Sequence, residues 1–122
     1  MADYVPKYED PGPRTYTASA AITGGQVVEI TGVKTVGPAG ANSEKVVGVA
    51  GFDVTVGQQV TVYNGGVQRP IASGAIAAGT LVLSAASGKV IATNGTPTAP
   101  MFVGVATTTA ADGAQVDVHW FK

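Results

Sequence analysis

The chain has no cysteine, a single histidine and only fifteen charged residues among 122. Without cysteine, neither a disulfide framework nor a thiolate metal site can form, so stability must rest on packing, strand pairing and partners. The formal charge of -1 gives no electrostatic drive toward nucleic acid or an anionic membrane, and neither is expected as a partner. No run approaches the roughly 20 apolar residues of a membrane helix. The opening MADYVPKYEDPGPR also lacks the basic-then-apolar order of a signal peptide. The expectation is a soluble product made in the cytoplasm, folded as one domain that buries roughly two-thirds of the surface of its unfolded chain.

The few charges are unevenly placed. Asp3, Lys7, Glu9, Asp10 and Arg14 put five of them in the first sixteen positions, leaving ten for the remaining 106 residues. A domain surface usually carries about a quarter or more charged residues. A body this plain is either covered by other protein or has a surface of Thr, Ser, Gly and Gln. Pro6, Pro11 and Pro13 exclude a helix at the start, because they remove donors and push their predecessors toward extended conformations. Residues 1–16 therefore read as an extended arm, and 17–122 as a single β-barrel-like domain.

From Thr17 onward, short β-branched runs alternate with Gly, Asn, Ser and Pro: QVVEIT, KVVGVA, QQVTVY, GVQRPI, TLVLSA, KVIAT, MFVGVA and AQVDVHW. This spacing indicates an all-β barrel or sandwich, with helix limited to a single turn. Alternation places Val60 and Val62 on one face of QQVTVY. It places Val116, Val118 and Trp120 on one face of AQVDVHW, with Gln115, Asp117 and His119 opposite. The NGG after Tyr63 supplies the positive backbone angles of a tight hairpin, which predicts that QQVTVY pairs antiparallel with VQRPI. Pro70 marks a strand end or sheet edge.

One phrase occurs twice. VGVAGFDVTVGQQVTV from Val47 matches VGVATTTAADGAQVDV from Val103 at a constant offset, with Gly48/Gly104, Ala50/Ala106, Gly57/Gly113 and Val62/Val118 among the identities. Farther back, ITGGQVVEI from Ile22 resembles IAAGTLVLS from Ile76. The variable loops Gly37–Glu44 and Thr93–Pro100 fall at matching places. The implied build is two pseudo-repeats, about 17–71 and 72–122, completing one barrel; a few short strands cannot close a core alone.

No chemistry stands out. Asp117 and His119 share a strand face and could give two metal ligands, but Asp53, Asp112 and Glu29, the candidates for a third, are not placed by sequence. No nucleophile motif surrounds Ser19, Ser43, Ser73, Ser84 or Ser87, the acids are scattered, and GPAGAN and TGGQ lack phosphate-loop spacing and a following helix. No catalytic, cofactor-binding or metal residues are assigned, and Trp120 reads as an apolar plug at a barrel mouth. Tyr4, Tyr8 and Tyr16 are different, since they lie in or beside the arm, where no local core exists to receive them. Aromatic side chains on an extended segment are suited to fixing it on another protein.

TASAAITGGQVVEITG, the central VVGVA, YNGG, GAIAAGTLVLSAASGKVIA and the closing FVGVATTTAADGAQVDVHW together resemble the small head decoration proteins of tailed bacteriophages, over about Tyr16 to Trp120. The resemblance implies a β-rich, often trimeric structural protein rather than an enzyme. It would bind the major capsid protein on the outer surface of the mature head, at three-fold and quasi-three-fold positions, and cement neighbouring capsomers. It also implies an arm that orders on the shell, with Tyr4, Val5, Tyr8, Arg14 and Tyr16 as the capsid contacts. Two alternatives remain. One is a virion-surface module that binds host carbohydrate. The other is a biotinyl- or lipoyl-like carrier domain, although Lys45 and Lys89 do not sit in that family's modified-lysine setting.

Overall fold

A computed structural model describes residues 13–122. The first half contributes β1 (Arg14–Ala18), β2 (Val27–Gly32), β3 (Thr35–Pro38), β4 (Val46–Ala50) and β5 (Gln59–Tyr63). The second contributes β6 (Val67–Gln68), β7 (Leu81–Ala85), β8 (Lys89–Ala92), β9 (Phe102–Ala106) and β10 (Val118–Trp120). Among the described residues, helix is confined to two 3₁₀ turns, Ala86–Gly88 and Ala99–Met101.

Strands β1-β3-β2-β4-β5 close into a barrel, and the second half forms a five-stranded sheet in the order β6-β10-β9-β7-β8. The two share one register. Val49 and Ala50 lie opposite Tyr63 and Val62, as Val105 and Ala106 lie opposite His119 and Val118, each residue 56 positions on. The β2/β4 ladder slips between Val28 and Glu29, and the β7/β9 ladder slips 54 positions later, between Val82 and Leu83. The parallel pairing that closes the first half has an echo in the second: Ala18 pairs parallel with Val36 in the ladder of β1 and β3, and Ala72 meets Val90 in a single parallel bridge.

The all-β class and the duplicated build stand, but the two halves do not complete one barrel. Among the described residues every strand ladder runs within a half: the first half closes into a barrel, and the second is a five-stranded sheet that curls far enough for Ala72 to bridge Val90 on its last strand. The expected hairpin across NGG is also absent. β5 lies between β1 and β4, so neither of its edges is free, and β6 pairs with β10 instead. Gly65 and Gly66, at φ 65° and 59°, turn the chain out of the first ring and onto the last strand, where Gly66 accepts from the Trp120 N–H at 2.9 Å. The repeat boundary shifts accordingly. Gln68 is the counterpart of Arg14, so the second repeat starts at β6 rather than at Ala72, and β1 begins inside the segment read as arm.

The inward residues are those the alternation assigns. Val60, Val62, Val116, Val118 and Trp120 are buried. The first core gathers Ala18, Ile22, Val28, Val36, Ala50, Val54, Val60 and Val62. The second gathers the matching residues of the second half and also takes in Val27, Ala39, Val46 and Val49 from the first. Those four point out of the first ring and form the seam between the halves.

Candidate functional site

Of the nominated contact residues, Tyr4, Val5 and Tyr8 lie outside the described residues. Arg14 and Tyr16 belong to β1, opposite Val62 and Val60. The Tyr16 ring is half-buried against the first core, so it braces the barrel.

The acids offered as metal ligands are occupied elsewhere. Asp53 Oδ1 accepts from the Gly24 N–H and Asp112 Oδ1 from the Gly74 N–H, both at 2.8 Å, while Glu29 Oε1 accepts from Gly40 N at 3.3 Å. These carboxylates tie turns together by satisfying backbone donors. Asp117 faces Arg69 at 3.5 Å across an exposed surface, and His119 meets Phe121 edge to face at 6.1 Å. Among the described residues, no three His, Asp or Glu side chains gather to hold a metal. Lys122, whose Nζ donates to the Glu44 carbonyl at 3.4 Å, is held below its ordinary pKa by burial, partly offset by the Glu44 charge.

The serines are structural as well. Ser84 is fully buried; its Oγ accepts from the Ser43 N–H and donates to the Gly40 carbonyl, both at 2.8 Å. Ser19 Oγ donates to the Val36 carbonyl at 3.1 Å and accepts from Thr31. The β7–β8 hairpin tip, where a carrier domain would present its lysine, is not presented. Gly88 N–H donates to Ala39 O at 3.0 Å, and a Cβ on Gly88 would stand 2.8 Å from Gln26 Cβ. The tip is pressed into the seam.

What the described surface does offer is apolar. Phe52, Val56, Tyr63, Val67 and Phe121 are exposed, and Val33, at the tip between β2 and β3, is 93% exposed. An open groove of about 440 Å³ lies where the halves meet, with Tyr63, Val67, Arg69 and Gln115 in its lining. The Tyr63 ring lies over Gly51, close enough that a Cβ there would reach its Cε2 at 2.7 Å. Sequence reasoning missed Val33 and Val56; the available signal was a valine beside a glycine turn, in TGVKT and in TVGQ. Apolar side chains on a charge-poor surface suit contact with other protein.

One comparison decides the matter: the model of the phage cement protein family matches residues 11–120. The chain belongs to the phage cement protein family. As a cement protein it is a structural protein of the phage head that binds the capsid and resides on the virion, as the resemblance in its motifs implied. No curated protein matches this cement protein in sequence. Its fold is similar to that of the N base of head fiber gp8.5 in bacteriophage phi29. The TM-score is 0.67 at 20% identity, covering 88% of this chain and 92% of that one.

Proposed function

We propose that this cement protein decorates the outer surface of the mature head. Made in the host cytoplasm, it assembles as a trimer at three-fold and quasi-three-fold positions, grips the major capsid protein, and holds neighbouring capsomers together. The observation that carries this reading is the family match over nearly the whole chain, joined to a body with few charges and several exposed apolar side chains. Such a surface gains most when it is covered. The arm supplies the grip. With Tyr16 packed on the first core, the residues proposed for the shell are Tyr4, Val5, Tyr8 and Arg14, and ordering an extended segment gives wide contact at an entropic cost. Repetition over the shell makes modest affinity per copy sufficient.

The test is co-sedimentation with undecorated heads, comparing immature with expanded shells and counting bound copies. Saturable binding to expanded shells only, at three copies per three-fold position, is the expected result. A variant lacking residues 2–12, which keeps all of β1, should remain folded and fail to bind. No binding by the intact protein would overturn the proposal, and full binding by the truncated form would remove the arm from it.

A further inference from the structure

The seam between the halves is one-sided. Val27, Val46 and Val49, on the outer side of β2 and β4, are buried because the second half covers them. Their counterparts on β7 and β9 are Leu81, Phe102 and Val105, and these are less covered: Leu81 is 40% exposed and the other two are partly exposed, while Leu83, opposite Phe102 on the same side of the sheet, is fully buried. Had the halves packed with the same face to the same face, both sets would be buried. The contact is therefore heterologous, joining the outer side of one half to a different part of the next.

That different part is the β7–β8 hairpin end. Ser84 bonds to Gly40 and Ser43, Gln26 Nε2 donates to the Ser87 carbonyl at 2.9 Å, and Gly88 seats against Val27 and Ala39. The counterpart of this end in the first half is the β2–β3 hairpin, with Ile30 in place of Ser84, Val33 in place of Ser87 and Lys34 in place of Gly88. Its Ile30 packs against the first core, while its tip stands out from the body with Val33 as the most exposed residue. The molecule thus carries, at opposite ends of one repeated contact, a hairpin tip with one fully exposed valine and a partly exposed apolar sheet face, each with less cover than its counterpart.

We infer that the β2–β3 hairpin of one copy, through Val33 at its tip, docks on the Leu81, Phe102 and Val105 face of a second copy, repeating between chains the contact that joins the halves within one. The repetition is not identical. A side chain on Lys34 does not fit where Gly88 allows close approach, and Ile30 brings no hydroxyl for a loop carbonyl. The inter-copy contact is accordingly looser and apolar, where the internal one is hydrogen-bonded. This gives the self-association proposed above an interface. The interface is read from the free chain, so it can be tested without heads and can fail while capsid binding stands.

The chain has no native cysteine, which permits a directional test. Val33→Cys and Leu81→Cys variants, differently tagged, are co-expressed and oxidised. The expected result is a disulfide between one tagged chain and the other, with neither variant cross-linking when expressed alone. Absence of the mixed cross-link, or equal cross-linking by Val33→Cys alone, would overturn the inference. Leu81→Lys should lower the mass measured by sedimentation to that of one chain while the far-ultraviolet circular dichroism is unchanged; an unchanged mass would also overturn it.

Discussion

Gly48 and Gly104 occupy the same place in the two halves, each with no room for a side chain. A Cβ on Gly48 would stand 2.2 Å from the Tyr63 carbonyl oxygen, and one on Gly104 would stand 2.3 Å from that of His119. In both, the next contact is a core valine, Val62 or Val118. The repeated VGVA is thus a packing requirement: the strand carrying it lies flat on its neighbour's backbone.

Gly48→Ala or Gly104→Ala should therefore cost about 3 kcal/mol, because a backbone carbonyl cannot move aside as a side-chain tip can. Gly57→Ala, at a turn with φ 86° and open space around it, should cost about 1 kcal/mol, from backbone strain alone. Urea unfolding of the three variants checks the ordering. Equal losses would show that the close approach is not what selects glycine.

Ser84→Ala should destabilise by about 2 kcal/mol, since it strips a donor from the Gly40 carbonyl and an acceptor from the Ser43 N–H at a buried position. Ser19→Ala, which removes a hydroxyl that water can replace at an exposed site, should cost under about 1 kcal/mol. Thermal melts of the pair measure the difference.

Although the halves share no strand ladder among the described residues, they should melt together. Val27, Ala39, Val46 and Val49 belong to the second half's core, so neither half keeps its apolar surface buried without the other. Calorimetry of the intact chain should show one transition with matching calorimetric and van't Hoff enthalpies. Val49→Ala should lower that single transition by about 2 kcal/mol of stability without splitting it. Two resolved transitions would show that the seam contributes little.

Much of this was legible in the residues. Strict alternation put Val60, Val62, Val116 and Val118 inside, and the twinned glycines announced a duplicated register. The NGG segment misled because paired left-handed residues serve a hairpin and a crossing equally well. Deciding between them requires knowing that β1 already occupies an edge of β5, and β1 was hidden in a segment whose prolines made it look like arm throughout. The seam was not legible either. Val27 and Leu81 are both apolar members of the same repeated strand, and only the docking of the halves buries one and leaves the other uncovered. Nor does a lone serine such as Ser84 signal in sequence that it bridges a loop more than forty residues away.

The segregation of strands by half also has a meaning for synthesis. All partners of β1 to β5 lie before Asn64, so the first ring can close while the second half is still being translated. Its valine face on β2 and β4 then stays bare until the remaining residues emerge, on the order of several seconds at ribosomal rates. During that interval the nascent chain presents the surface that its own later half will cover. On a polysome making many copies, the nearest competitor for that surface is the finished second half of a neighbour.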